Sequence, residues 1–319
     1  MLGNTLRPKA LSEFIGQKEI IYRLKVMIES AKIRSEPVDH ILFSGPPGLG
    51  KTTLGSLIAK EIGSNFYPLS APTITKTGDL AKILTLLKKT DVLFIDEIHR
   101  LNRSCEEILY SAMEDHYIDI LLGEGVTAKS IRIPLEPFTL IGATTRSGYL
   151  SPPLKSRFGV ELKLSFYSIE DLSMIIKKNA KLLELDLEEG VETLIAENSR
   201  MTPREAIRLL KRIQEFAIIK RIQKIDIQFI KTCFRSLGIF RYGINEIDKK
   251  ILSLLYERYN GNPVGIKTLS SLLDEEERTL LEVHEPFLLK MGLIEKTSKG
   301  RQITAKGIEF LKEYEVYSL

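Results

Sequence analysis

Eight residues near the start of the chain carry the strongest chemical signal. Gly45-Pro46-Pro47-Gly48-Leu49-Gly50-Lys51-Thr52 fits the phosphate-loop pattern G-x-x-x-x-G-K-[ST] in full. Glycines there let backbone N–H groups wrap a polyphosphate that side chains would keep out. Lys51 would reach the β- and γ-phosphates, and the Thr52 hydroxyl would ligate Mg2+. The spacing predicts a site for ATP and Mg2+. Further on, Val92-Leu93-Phe94-Ile95-Asp96-Glu97 reads as an apolar strand ending in two adjacent acids. Open parallel sheets place ligands at the carboxyl ends of their strands. Asp96 would therefore face the Mg2+ through its water shell, and Glu97 would polarise the attacking water as general base. Two acids at a strand end are equally well read as solvated; the phosphate loop upstream favours the catalytic reading.

A third strand, Phe138-Thr139-Leu140-Ile141-Gly142, runs into Ala143-Thr144-Thr145-Arg146. Thr144 or Thr145 would orient the hydrolytic water or sense the γ-phosphate, and the sequence does not choose between them. The plainer alternative is a pair of hydroxyls capping a strand end. Arg157 and Arg204, the latter after Thr202-Pro203 at a helix start, would on their own be solvated surface groups.

These groups need a scaffold. A helix is expected from Lys18 to about Ser35, then the strand Ile41-Leu42-Phe43-Ser44, the Gly/Pro loop, and a helix from Lys51 to Ile62. Two alternating runs between Ile118 and Ile133 flank Gly123-Glu124-Gly125 and predict a β-hairpin. Short apolar strands separated by helices imply an α/β fold with a mostly parallel sheet covered on both faces. After about Tyr167 the strands stop, and helical patterns cover 169–184, 189–198, 203–220 and 226–236. The pattern breaks around 238–243, which reads as a linker. Helices near 246–259, 266–273 and 278–291 and a ribbon turning at Ser298-Lys299-Gly300 suggest a winged helix. The expected domains are 1–168, 169–239 and 242–319.

Composition narrows the class. The net charge of +4 is compatible with a polyanionic partner without requiring one. Cys105 and Cys233 form no metal or redox spacing, so a reducing cytoplasm is the simplest setting. No signal-peptide pattern opens the chain, and no apolar run is long enough to cross a bilayer.

The order of phosphate loop, Asp-Glu, polar sensor, Arg and then Pro-Arg in a helical lid resembles AAA+ ATPases. Longer stretches resemble the RuvB family, bacterial motors of Holliday-junction branch migration. They are Leu6-Arg7-Pro8-Lys9, the run from Gly45 to Leu54, the run from Asp91 to Leu101, Ala112-Met113-Glu114-Asp115, Phe138 to Arg146, and Thr202-Pro203-Arg204. The likeness extends from about Leu6 to Thr304, and the Asp91–Leu101 and Phe138–Arg146 runs are its most specific parts.

The resemblance implies a fold of AAA+ P-loop domain, small helical lid and C-terminal winged helix. It also implies roles. Leu6, Arg7 and Tyr167 would line the adenine end; Gly48, Gly50, Lys51, Thr52 and Thr53 would hold phosphates and Mg2+. Asp96 and Glu97 would be the Walker B pair, and Arg204 the sensor arginine of the lid. Arg157 would be an arginine finger reaching the ATP of a neighbouring subunit, with Glu114, Asp115 and His116 near that junction. A homo-hexamer around duplex DNA is implied, with RuvA docking on the 118–133 hairpin and the resolvase RuvC acting indirectly. The wing would grip DNA through Lys296, Lys299 and Arg301, the two lysines standing where the family usually has Arg. Met201 stands where the family has Gly, and Ser70-Ala71-Pro72 replaces Ser-Gly-Pro. Rival readings are a clamp-loader ATPase, which typically shows Ser-Arg-Cys where this chain has Ser156-Arg157-Phe158, and an ATP-switched DNA-binding regulator.

Overall fold

Three runs of the chain have almost no polar side chain to offer water, and all three become central strands. In the computed structural model, which describes residues 6–122 and 129–317, β1 (Ile41–Ser44), β3 (Val92–Asp96) and β6 (Thr139–Thr144) are buried at nearly every position. Parallel strands covered on both faces require this, because neither face meets solvent. Two partly exposed strands flank them: β2 (Phe66–Ser70) and β7 (Val160–Lys163). The sheet runs β2-β3-β6-β1-β7 and every pairing is parallel.

The sequence reading passed over both flanking strands for a physical reason. β2 contains Pro68, which removes a ladder donor and is tolerated at a sheet edge. β7 alternates Val160-Glu161-Leu162-Lys163, too short a run to stand out from a loop.

Helices α1 (Lys18–Arg34), α2 (Lys51–Ile62), α3 (Thr77–Leu86), α4 (Arg103–Glu114) and the short α5 (Pro152–Ser156) complete the first of two compact units. The hairpin strands β4 (Tyr117–Leu122) and β5 (Lys129–Pro134) pair antiparallel, Ile118 opposite Ile133. The Gly123-Glu124-Gly125 turn lies outside the described residues.

The second unit contains Pro46–Gly48 and everything from Phe166 onward. Its helices α6 (Ile169–Leu182), α7 (Val191–Glu197), α8 (Pro203–Lys220) and α9 (Ile227–Ser236) follow the predicted pattern closely. Ser168, Thr202 and Asp226 cap three of them by accepting a backbone N–H. Strands do not quite stop: β8 (Asp186–Leu187) and β9 (Lys224–Ile225) form a two-residue parallel ladder, too short to carry a periodic signal.

Beyond them lie α10 (Glu246–Ser253), α11 (Ile266–Leu273), α12 (Glu277–Thr279), α13 (Glu285–Met291), the ribbon β10 (Ile294–Thr297) and β11 (Gly300–Ile303), and α14 (Ala305–Tyr317). A π-helical turn, Leu280–His284, joins α12 to α13 just before Pro286. Proline has no N–H to give the preceding turn and its ring crowds the carbonyl four residues back. The widened turn accommodates both effects, and one of its carbonyls, that of Val283, accepts instead from Arg200 at 3.1 Å.

That arginine anchors a buried polar cluster. Asp248, fully buried, ion-pairs with Arg200 and lies 2.6 Å from His284 Nδ1. Its carboxylate also accepts the Asn245 N–H at 3.1 Å, closing a capping box at the start of α10. The Arg200 guanidinium lies 4.1 Å over the Phe287 ring. The 238–243 segment is fastened too, since Gly243 donates to Asn198 Oδ1 at 3.2 Å.

Burial alone would raise the Asp248 pKa, but the hydrogen bond from His284 and the charge of Arg200 outweigh it and hold the carboxyl below its ordinary 3.8. A folded value below the unfolded one means a stabilising share that is complete above about 3.8 and lost as the pH falls through the folded value. Asp248→Ala leaves the buried Arg200 guanidinium and the His284 ring without their acceptor and should cost about 3–5 kcal/mol in urea unfolding at pH 7. The gap between wild type and Asp248→Asn should narrow when the same melts are run near pH 3.

Candidate nucleotide site

The site is built where β1 ends. The Gly45 N–H donates to the Thr144 carbonyl at 3.2 Å, so the loop leaves the sheet still hydrogen-bonded to β6. At φ +134° a Cβ on Gly45 would stand 2.5 Å from the Leu164 carbonyl oxygen; only glycine fits. Gly48, at φ +83°, has its carbonyl 3.3 Å from the Arg204 N–H, and a Cβ there would meet Arg204 Cβ at 3.1 Å. Gly50 precedes α2, whose N-terminus has no side-chain cap. An uncapped helix end with its positive dipole favours an anion, as a phosphate requires. Lys51 is buried and donates to the Gly45 carbonyl at 2.7 Å, across the mouth of the loop. Thr52 and Thr53 follow in the first helical turn, half-buried.

The acids come from the next strand but one. Asp96 ends β3, and its Oδ1 accepts the Glu97 N–H at 3.1 Å. Glu97 has a left-handed backbone, φ 52°, an arrangement that costs a non-glycine residue about 1–3 kcal/mol and is kept where the fold needs it. It swings the chain into the tight turn Ile98–Arg100. β6 lies between β3 and β1, so its end stands between acids and loop. Thr145 Oγ1 donates to Glu97 Oε2 at 3.1 Å. Thr144, fully buried, instead accepts the Arg146 N–H at 2.9 Å and lies 2.8 Å from His99 Nδ1. The two threonines that the sequence left level thus differ: the Thr145 hydroxyl donates to the acid, and Thr144 turns inward to His99. His99 itself escaped the sequence reading, although its place two residues past Glu97 was a usable signal.

Arg157 follows α5 and bonds elsewhere. It donates to the Pro153 carbonyl at 2.8 Å and to Glu114 Oε2 at 2.9 Å, and it lies 4.5 Å over the Tyr110 ring. The Tyr110 hydroxyl is within 3.1 Å of both Glu106 Oε2 and Ser151 Oγ, and Ser151 donates to the same Glu106 oxygen at 2.6 Å. Burial pushes the Tyr110 hydroxyl above its ordinary pKa, so it stays a donor. Glu106 and Tyr110 stand one turn apart on α4, but no spacing links either to Ser151, and none of the three stood out in the sequence. Asp115 is exposed beside Glu114, and His116 adopts φ 52° at the turn into β4.

The other expected site residues divide between the two units. In the first unit Leu6 is buried and Arg7 exposed. In the second, Tyr167 is buried with its N–H on the Met201 carbonyl at 3.0 Å, and Arg204 is exposed at the start of α8. A cavity of about 250 Å³ in that unit is lined by Pro47, Gly48, Phe166, Arg204, Glu282 and Phe287, among others. On the wing Lys296 and Lys299 are exposed, but Arg301 is turned in against Glu285 with 11% of its side chain exposed. Among the described residues no three His, Cys, Asp or Glu side chains gather into a metal cage, and no helix is long and apolar enough to cross a membrane.

Residues 6–164 match the Holliday junction DNA helicase RuvB P-loop domain, 167–239 the RuvB AAA lid domain, and 241–312 the RuvB C-terminal winged helix domain. The Holliday junction branch migration complex subunit RuvB of Pseudothermotoga lettingae is 50% identical over 307 residues, 96% of this chain and 90% of that protein. Its counterpart from Thermotoga maritima is 50% identical over 311 residues, 98% of this chain and 93% of that protein. A solved structure of the Thermotoga maritima RuvB Holliday junction branch migration motor superposes with a TM-score of 0.88 at 46% identity, covering 96% of this chain and 98% of that one.

The Gly45 geometry makes a direct test. Gly45→Ala should weaken binding of a fluorescent ATP analogue by roughly tenfold or more, because the added methyl must displace backbone. Gly78→Ala, where a Cβ meets nothing within 4 Å, should leave the same titration unchanged.

Proposed function

This chain belongs to the RuvB family, and from that premise we propose how its residues divide the work. It is an AAA+ ATP hydrolase and a Holliday-junction branch-migration motor of DNA recombination and repair. The observation that carries the assignment of roles is the convergence of three strand ends: Gly45 bonded to Thr144, and Thr145 bonded to Glu97.

At that point Lys51 and the first turn of α2 bind the phosphates of ATP, with Gly48, Gly50 and Thr53 shaping the loop. Leu6, Arg7 and Tyr167 hold the adenine end. Thr52 and Asp96, a hydroxyl and a carboxylate, are hard oxygen donors of the kind that hold Mg2+ together with substrate phosphates, and the ion would neutralise phosphate charge. Glu97 takes up the proton of the attacking water while Thr145 steadies its carboxylate. Thr144 holds the sensor strand's end in shape. Arg204 reads the nucleotide from the lid, consistent with its backbone bond to Gly48.

Arg157 acts across a subunit boundary, on the ATP of the next protomer in a homo-hexamer. Its tie to Glu114, which with Asp115 and His116 would flank that neighbouring nucleotide, supports this reading. A positive charge supplied in trans stabilises the γ-phosphoryl group in flight and makes hydrolysis depend on assembly. The motor has three parts, ATPase domain 1–168, lid 169–239 and winged head 242–319. Rotation of the lid against the ATPase domain would turn hydrolysis into movement along duplex DNA. The partner RuvA docks on the 118–133 hairpin, RuvC acts on the junction after it, and the setting is the cytoplasm. The wing meets phosphates mainly through Lys296 and Lys299, with Arg301 braced behind them by Glu285.

The decisive experiment is ATP-dependent dissociation of a synthetic four-way junction, with and without RuvA, by wild type, Lys51→Ala and Arg157→Ala. Both variants should be inactive alone, with Arg157→Ala losing about a thousandfold in ATP turnover. Mixed together they should recover part of the ATPase, since each supplies what its neighbour lacks; no recovery at any ratio would count against a trans finger. On duplex DNA, Lys296→Ala and Lys299→Ala should each flatten the salt dependence of binding by about one unit of slope. Arg301→Ala should change that slope less and should lower the unfolding midpoint instead.

A further inference from the structure

One side chain of the nucleotide site has no part in the roles above. His99 has only 7% of its side chain exposed. Its Nδ1 lies 2.8 Å from Thr144 Oγ1 and 3.3 Å from Glu97 Oε2. One ring nitrogen thus bridges the end of β3 to the end of β6. As an N–H donor it serves both oxygens at once, while Thr144 Oγ1 also accepts from the Arg146 amide.

The backbone is shaped for this bridge. The left-handed Glu97 reverses the chain, and the turn is closed by Arg100 N–H to the Glu97 carbonyl at 2.8 Å. Ile98, fully buried, pins the turn down onto β6. It lands on Gly142, where a Cβ would come within 3.1 Å of Ile98 Cδ1; the one strand residue without a side chain makes room for the turn that delivers His99.

A general base must keep a carboxylate oxygen within hydrogen-bond reach of the water it activates. A glutamate has three side-chain torsions, and the last is broad. Here Thr145 and His99 both address Oε2, one at 3.1 Å and the other at 3.3 Å. That sets the carboxylate's rotation and directs its other oxygen.

We infer that His99 is a positioning residue for ATP hydrolysis: it ties the Glu97 carboxylate to Thr144 and so holds the base in line with the sensor strand. The inference rests on the proposed role of Glu97 as general base. His99 acts through Glu97 and need not touch ATP, so its loss should appear in turnover and not in binding.

The test is ATPase of the full chain on duplex DNA, read as kcat and KM, with the Kd of a fluorescent ATP analogue and a thermal melt for each variant. His99→Leu should lower kcat roughly tenfold to a hundredfold, the scale of a misplaced catalytic group, with KM and Kd unchanged. His99→Asn, whose amide nitrogen stands about where Nδ1 does, should recover most of the loss; His99→Gln, whose amide lies one carbon further out, should not. In single-turnover assays on the Glu97→Gln background, His99→Leu should cost nothing further. An equal cost in both backgrounds, an unchanged kcat, or a loss confined to KM and Kd overturns the inference. If His99→Leu fails to fold, the Asn and Gln pair decides, and equal activities of the two overturn it. If Glu97→Gln alone keeps wild-type turnover, the general-base reading fails first and the inference falls with it.

Discussion

The hydrogen-bonded register of β6 between β1 and β3 is the constraint on which the site depends. Ser44 sits beside Thr144, and Ile95 beside Gly142, in ladders that run the same way. Three chain segments distant in sequence therefore end at one level. Each end then turns away differently: Gly45 by its positive φ, Glu97 by a left-handed turn, Thr144 by accepting the Arg146 amide. A shift of one residue in the β3–β6 ladder would flip side chains to the opposite face and separate Thr145 from Glu97. The burial of nearly every residue in these strands resists such a slip, because each displaced side chain would lose its packing.

The same economy of position explains why glycines occur where they do. Gly45 passes the Leu164 carbonyl and Gly142 passes Ile98, both at distances that no side chain tolerates comfortably. One lets the phosphate loop leave the sheet, and the other lets the acid-bearing turn press onto it. Lys51, Glu97 and Thr145 are thereby carried on the rigid sheet and the turns that leave it, the kind of support that keeps a polar site preorganised.

Within the second unit a different kind of interaction dominates. Arg200, Asp248 and His284 come from three separate helical neighbourhoods and meet out of water. Such a cluster is a poor source of net stability but punishes any arrangement that separates its members. It gives the helical lid residues and the winged-helix residues a shared polar centre, beside the cavity that also reaches Gly48 and Arg204. Phe287 stacked on the Arg200 guanidinium continues that contact into apolar packing.

Much of this molecule was legible in its sequence. The spacing of Gly45 to Thr52, the apolar runs that end at Asp96 and at Thr144, and the helical periods after Ile169 depend on local rules: backbone freedom, burial on two faces, one apolar face per helix. Local rules leave a direct trace in residue order. Other features have no such trace. That Arg301 turns inward to Glu285, that Thr145 and not Thr144 donates to Glu97, that His99 folds back onto the end of β6, and that Tyr110 braces Arg157 were decided only by tertiary structure. Each joins side chains from different elements, and a charge or hydroxyl reads the same in sequence whether it will meet solvent, a ligand or a buried partner. The sequence by itself determined which chemistry this protein carries; the register of its strands decided which atoms stand together to perform it.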